Sequence, residues 1–267
     1  MDAVPAAVSS SASSAIAAPP AQALRRAVRP EPQDLHPALW LGHQLGRAGG
    51  EGVPSGFAEL DAQLPGRGWP RRTLTELLLP HPGVGEIRLL APSLGAAQRA
   101  GRLVMLFDPP AQLSAWALVQ LGLDVGQLLV VQTRQRLLPG SDSLWAFEQA
   151  LRSGHVGALV AWLPPRLRAE RLRRLQLAAQ AHDGAAFVMR ELAAAQRPSA
   201  APLRLALRAA GPDVLALRVL KRRGPPLESP ITLALPPVLS EAAHARRRAE
   251  RMASVPSLAV ATFVDLG

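Results

Sequence analysis

Short, continuous apolar runs recur along the middle of the chain and alternate with segments of helical pattern. Such runs are typical of strands that are buried on both faces of a sheet. The pattern predicts strands at 73–79, 102–107, 127–132, 156–162 and 185–190. Between them it predicts helices at 86–100, 111–121, 142–153 and 166–182. This alternation predicts an α/β fold with a mostly parallel central sheet, flanked by helices and joined by right-handed crossovers.

After residue 200 the alternation of predicted strands and helices ends. Segments 202–210 and 213–221 flank Gly211-Pro212-Asp213, which is a strong turn signal. Two apolar runs around such a turn predict an antiparallel C-terminal hairpin. Segment 230–236 predicts one more strand at the edge of the sheet.

The two ends of the chain differ from its middle. Residues 1–33 are rich in Ala, Ser and Pro and begin without a basic n-region, which predicts a disordered leader rather than a signal peptide. Residues 34–52 are predicted to form a short helix and a Gly-rich linker. The main domain is expected at 53–237, and residues 238–267 are expected to form a basic C-terminal helix or tail.

Composition narrows the functional classes. The chain has no Cys, and its six His show no metal-ligand spacing, so neither disulfides nor a metal site are expected. No long apolar run predicts a membrane span, and a cytoplasmic location is the expectation. The net charge of +10 comes almost entirely from Arg. Two interpretations stay open: a nucleic-acid partner, or a compositional bias that makes Arg the default cation.

Residues 73–90 have the layout of a phosphate-binding loop, with a strand, a Pro/Gly turn and the start of a helix. A working loop of this kind ends in Gly-Lys-Ser/Thr, whose ammonium and hydroxyl groups meet phosphate and Mg²⁺. Here the corresponding residues are Gly85-Glu86-Ile87, and the single lysine of the chain is Lys221. Two interpretations remain: a relic loop that holds an anion through backbone N–H groups, or an ordinary strand-to-helix turn.

Four stretches follow one another in a known order: VPSGFAELD at 53–61, GWPRRTLTE at 68–76, LGLDVGQLL at 121–129 and LRSGHV at 151–156. They are similar to motifs of the RecA-like ATPase core, at nearly the same spacing. Within that superfamily, which also includes SulA-like proteins, the chain most resembles the ImuA family of translesion DNA synthesis. The resemblance covers the predicted main domain.

The resemblance implies that the chemistry of the ATPase has been lost. It aligns the phosphate-loop Lys with Glu86, the catalytic Glu with Pro110 and the metal-organising Asp with Trp162. It therefore implies a degenerate phosphate loop, no catalytic residue, no cofactor and no metal. Such a protein would be a pseudo-ATPase rather than an enzyme.

The same resemblance implies a function. A member of this family is a non-catalytic accessory protein of SOS-induced, error-prone translesion DNA synthesis. Its expected partners are ImuB, RecA and an error-prone C-family DNA polymerase, with any DNA contact indirect or weak. The densest positive charge of the main domain lies at Arg218, Lys221, Arg222 and Arg223, which are the candidate contacts to a partner or to DNA.

Two further functions fit the same fold. A SulA-like cell-division inhibitor would act on FtsZ by blocking its polymerisation. A divergent NTPase or DNA-binding recombinase would bind nucleotide with Mg²⁺.

Overall fold

A computed structural model describes residues 51–133 and 140–238, with short helical fragments at 242–243 and 245–246. The predicted leader at 1–33 and the predicted N-terminal helix lie outside the described residues. So does nearly all of the predicted basic tail. Within the described ranges, no helix combines the length and the apolar content that crossing a membrane requires.

Eight strands form a single sheet in the order β3-β2-β4-β5-β1-β6-β7-β8. All pairings from β3 to β6 are parallel, whereas β6 to β8 are antiparallel. The predicted mixed sheet with an antiparallel C-terminal hairpin is therefore confirmed. The strands are β1 Leu74–Leu79, β2 Leu103–Phe107, β3 Leu128–Val131, β4 Val156–Trp162, β5 Ala185–Glu191, β6 Leu203–Gly211, β7 Val214–Lys221 and β8 Ile231–Ala234.

Helices cover both faces of the sheet, because its central strands are buried on both sides. The helices are α1 Ala58–Asp61, α2 Glu86–Arg99, α3 Ala115–Gln120, α4 Gly140–Ser153 and α5 Ala169–Ala179, with 3-10 turns at Val125–Gln127 and Leu192–Gln196. One core packs under α2 and α3, and a second packs under α4 and α5. An edge-to-face aromatic pair anchors each core, Trp69 with Phe187 in the first and Phe107 with Phe147 in the second.

Two helices are shorter than their patterns predicted. Helix α3 begins only at Ala115, because Ser114 caps it by accepting a hydrogen bond from the Ala117 amide. Helix α5 begins at Ala169, because Arg166 has a left-handed backbone, with φ 61°, that a helix does not allow. Leu177 on α5 is exposed.

His182 lies between α5 and β5, and its side chain is completely buried. Burial lowers the pKa of the imidazole to about 4, because the charged ring would lose its hydration. Arg102 lowers it further, whereas the Ala185 backbone and Asp183 act in the opposite direction. His182 is therefore neutral in the folded protein at neutral pH.

This pKa predicts a stability that falls on mild acidification. The unfolded chain takes up a proton below pH 6.5, whereas the folded chain resists it down to about pH 4. The free energy of unfolding should therefore drop by about 2 kcal/mol between pH 7 and pH 5. Urea titrations at these two pH values measure the change. His182→Gln should remove most of it and His155→Gln, at an exposed site, should retain it; equal behaviour of the two variants would contradict the assignment.

Candidate functional site

The carboxyl ends of β1, β2, β4 and β5 meet at one edge of the sheet, as parallel strands require. The chain leaves β1 through the loop at 80–85, and this loop, Pro110 and Trp162 come together there. Pro110 and Trp162, two of the three positions that the resemblance aligned with ATPase chemistry, thus line one cavity, whereas Glu86 is not part of its wall. The lining residues are Leu79, Pro80, His81, Pro82, Pro110, Trp162, Leu163, Pro165, Met189, Arg190 and Glu191.

The cavity has a volume of about 190 Å³. Sites for small-molecule ligands usually measure about 300–1,000 Å³, and an apolar cavity of about 150 Å³ holds benzene. Four of the lining residues are proline, which has no backbone N–H to offer a phosphate. We call this space the proline-lined cavity. Its size suits one side chain rather than a nucleotide, and its prolines offer no backbone donor.

Glu86 occupies the loop in which a phosphate would bind. Its carboxylate accepts hydrogen bonds from the Gly83 amide at 2.9 and 3.1 Å, and from the Gly85 amide at 3.2 Å. The side chain is buried at the first turn of α2, where a negative charge is favoured by the helix dipole. The loop does form an anion-binding turn, but the anion that it binds belongs to the protein itself.

Contacts from the C-terminal hairpin hold the start of α2 in place. Arg88 Nη2 donates to Asp213 Oδ1 at 2.6 Å, and its Nε donates to the Pro236 carbonyl at 2.9 Å. Gly85 has φ 117°, and a Cβ there would lie 2.6 Å from the Leu235 side chain. The C-terminal hairpin and the residues after β8 therefore cover the loop at Gly85.

Asp108, at the end of β2, has a structural role. Its carboxylate accepts hydrogen bonds from the Thr133 amide and hydroxyl, both at 2.7 Å, and from the Ser143 hydroxyl. Its backbone is left-handed, with φ 49°. These bonds tie the ends of β2 and β3 to α4. The chain then turns into Pro109 and Pro110, so no carboxylate stands at the position that the resemblance aligned with the catalytic Glu.

A buried ionic cluster crosses the middle of the sheet, and the sequence patterns did not reveal it. Glu76 on β1 is completely buried and pairs with Arg190 on β5 at 2.9 Å and with Arg204 on β6 at 2.6 Å. Removing one member of such a group costs about 3–5 kcal/mol, because the remaining charge stays buried without its partner. The available signal was a charged residue inside each of three largely apolar runs.

The candidate basic contacts lie elsewhere. Lys221 pairs in register with Arg204 near the start of β6, so it lies towards the amino edge of the sheet. Lys221 donates to the Ser199 carbonyl, whereas Arg222 donates to the Gln63 and Pro225 carbonyls. Arg218 and Arg223 are exposed. The structure therefore separates these four cations from Pro110 and Trp162, and their role as contacts stays a prediction.

Exposed apolar side chains recur along the segment that crosses from β2 to the edge strand β3. Trp116 and Val119 project from α3, while Leu118 between them is buried in the first core. Val125 and Val130 follow on the 3-10 turn and on β3. We call Trp116, Val119, Val125 and Val130 the crossover surface. On the described part of the chain, no cluster of three or more potential metal ligands accompanies it or the cavity.

Comparison with known proteins gives a consistent result. Residues 74–187, from β1 into β5, match the family described as Cell division inhibitor SulA. A protein of that name from Serratia proteamaculans is 32% identical over 117 residues, which cover 44% of this chain and 67% of the relative. The chain belongs to the SulA family. A relative with the same name from Yersinia pestis is 34% identical over 105 residues, 39% of this chain and 60% of its own.

The SulA match does not extend over either protein as a whole. A third SulA relative, from Edwardsiella piscicida, is 44% identical over 69 residues, which cover 24% of this chain and 40% of the relative. The matched part of the chain thus spans from 40% to 67% of these three proteins. A shared activity is therefore a hypothesis that needs its own test.

The SulA matches correct the expected function. They confirm that the chain is SulA-like, but they do not support the ImuA branch. A role in translesion synthesis was wrong, because the relatives are named as division inhibitors. The expected partners ImuB, RecA and a C-family DNA polymerase were wrong for the same reason. Arg218 and Lys221 to Arg223 also lie outside the matched segment 74–187.

The position of Glu86 predicts a measurable contribution to stability. Glu86→Ala should lower the free energy of unfolding by about 1–3 kcal/mol, because two loop amides lose a charged acceptor. Glu170 is a matched control, since it is an exposed acid in the first turn of α5. Glu170→Ala should cost less than about 1 kcal/mol. Urea unfolding of both variants gives the comparison, and equal losses would show that the loop bonds contribute nothing.

Proposed function

We propose that this chain is a cell-division inhibitor that binds FtsZ and blocks its polymerisation, as part of the SOS response. The names of its SulA relatives support this function. In this proposal the chain acts by occupying a surface of FtsZ, and it needs neither nucleotide nor metal to do so.

We also propose that the main domain is a RecA-like core that has lost its enzymatic chemistry. The parallel strands followed by an antiparallel hairpin support this origin. The bonds from Glu86 to Gly83 and Gly85 support the loss, because a triphosphate would have to displace a buried carboxylate of the same charge sign. Pro110 and Trp162 supply no general base and no metal ligand.

The observation that carries the inhibitor proposal is the crossover surface. A monomeric protein seldom exposes several large apolar side chains together, and such patches mark contacts to other proteins. This patch lies next to β3, whose outer edge has no neighbouring strand in the described sheet. All four of its residues lie inside the segment that matches the SulA family. Tryptophan is also the residue type most often found at the energetic centre of an interface.

The test is sedimentation of purified FtsZ polymers in GTP with increasing amounts of this chain. The wild-type chain should reduce the pelleted FtsZ. Trp116→Ala should require at least about tenfold more protein for the same reduction, because a central interface Trp contributes about 2 kcal/mol or more. Val130→Glu should have a similar effect by placing a charge in the contact.

Trp145 provides a matched control. It is 60% exposed, against 56% for Trp116, but it projects from α4, which packs on the opposite face of the sheet. Trp145→Ala should inhibit FtsZ as the wild type does. Overproduction in cells should cause filamentation with the wild type and the Trp145 variant, and not with the Trp116 variant. Full FtsZ polymerisation at a molar excess of folded wild-type chain would refute the proposal.

A further inference from the structure

The two edges of the described sheet differ in how they are protected against pairing with another strand. Natural proteins often protect an edge strand with proline or charge. At one edge, Pro230 and Pro236 bracket β8 in the sequence PITLALP. At the other edge, the segment 127–133 around β3 is QLLVVQT, which contains no charged residue, no Gly and no Pro. An uncharged apolar strand pairs readily with another strand, so β3 lacks the protection that β8 has.

The backbone of β3 directs alternate residues towards β2 and away from it. The Val131 carbonyl accepts from the Asp108 amide at 2.8 Å, and the Thr133 amide donates to the Asp108 carboxylate at 2.7 Å. These groups point inwards, towards β2. Because successive residues of a strand alternate in direction, the outward N–H and C=O groups are those of Leu128, Val130 and Gln132. The backbone hydrogen bonds among the described residues satisfy none of these outward groups.

Side chains are exposed on both faces of β3. Leu128 packs partly against the first core, and Val130 lies on the same face because it is two residues further along the strand. Val130 is 38% exposed there, and Leu129 is 45% exposed on the opposite face. Val130 therefore belongs both to this open edge and to the crossover surface. A strand added at the edge would bury part of each of these side chains.

The outward backbone groups determine which kind of partner fits the edge. Successive outward residues lie about 7 Å apart, and each offers one donor and one acceptor. An extended polypeptide repeats its own donors and acceptors at the same interval, and recognition by strand addition uses this match. A helix uses these groups for its own hydrogen bonds, so it cannot supply them. The edge is therefore complementary to an extended segment of a protein.

A second copy of this chain is a poorer partner than a different protein. Each copy has a net charge of +10, so two copies repel each other. Strand β3 has four residues, and pairing two such strands buries far less than the roughly 800 Å² per subunit of a stable interface. These two facts favour a partner of another kind.

We propose that β3 receives an extended segment of the target protein as an additional strand. The outward groups of Leu128, Val130 and Gln132 exchange hydrogen bonds with that segment, and its side chains cover Leu129 and Val130. This inference rests on the proposed function, in which the target is FtsZ. It adds that backbone pairing contributes to the contact, together with the burial of side chains at the crossover surface.

Amide hydrogen exchange, measured by NMR on the isotope-labelled chain with and without FtsZ, tests the pairing. In the complex, exchange should slow at least about tenfold at the outward amides of Leu128, Val130 and Gln132, because each gains an acceptor. The inward amides of Leu129 and Val131 already face β2 and should change less. Equal slowing at all five residues would indicate burial without pairing and would overturn the proposal.

The opposite edge of the sheet provides the control for this measurement. The Leu235 amide donates to the Asp213 carbonyl at 2.7 Å, so alternation directs the amides of Thr232 and Ala234 away from β7. They are outward amides of an edge strand, as those of β3 are. Their exchange should be the same with and without FtsZ. Slowing at Thr232 and Ala234 in place of the β3 amides would assign the contact to the wrong edge and contradict the proposal.

Two variants of Gln132 isolate its backbone donor from its side chain. Gln132→Pro removes an outward N–H and keeps the inward bonds to β2, and edge strands accept proline where the N–H faces solvent. Gln132→Ala removes the side chain but keeps the N–H. Gln132→Pro should require at least about fivefold more protein to inhibit FtsZ sedimentation, whereas Gln132→Ala should act as the wild type does. Equal inhibition by the two folded variants would overturn the pairing. If Gln132→Pro does not fold, the amide exchange decides.

The outcomes separate this inference from the proposed function. If the wild-type chain neither binds nor inhibits FtsZ, both are refuted. If it inhibits FtsZ while the outward amides of β3 exchange as before, the function stands and the pairing is wrong. Outward amides that are already slow in the free chain would also overturn the pairing with FtsZ. Slowing that increases with protein concentration would then identify a second copy on the edge, and slowing independent of concentration would identify another part of the same chain.

Discussion

The hydrogen bonds between the Glu86 carboxylate and the amides of Gly83 and Gly85 determine which anion the loop after β1 holds. A loop between a buried strand and a helix offers backbone donors and the positive end of a helix dipole, and these attract an anion. In this chain the anion is the carboxylate of Glu86. The loop is therefore stable without ligand, and Arg88 and Leu235 fix it from the side of the C-terminal hairpin. The amides of Gly83 and Gly85 are then occupied and do not meet a polyphosphate, and the neighbouring prolines have no backbone donor.

In the proposed function, the sheet acts through a surface that contacts another protein. The edge strand β3 and the crossover before it expose Trp116 and Val130, while the central strands β1 and β4 are buried throughout. The Glu76 cluster holds β1, β5 and β6 together through charges in the interior. An exposed apolar edge on a sheet that is held together in this way suits recognition of another protein. Such recognition requires no bound nucleotide.

Much of this architecture could be predicted from the sequence, because strands buried on both faces are continuous apolar runs such as VGALVAW at 156–162. The helix starts were less predictable, since the left-handed backbone at Arg166 leaves no trace in apolar periodicity. The cluster at Glu76 depends on the pairing of strands more than a hundred residues apart, and periodicity holds no information about that pairing. The ImuA branch was wrong because its motifs are general to the superfamily, and the stretch at 53–61 lies outside the SulA match.

The most direct test of the account is calorimetric titration of the wild-type chain with ATP and Mg²⁺, with Glu86 and its loop intact. The account predicts no saturable heat at millimolar nucleotide, because the loop amides already hold a carboxylate. Mg²⁺-dependent binding in the micromolar range would contradict it, since a triphosphate would then be displacing Glu86 from the amides of Gly83 and Gly85.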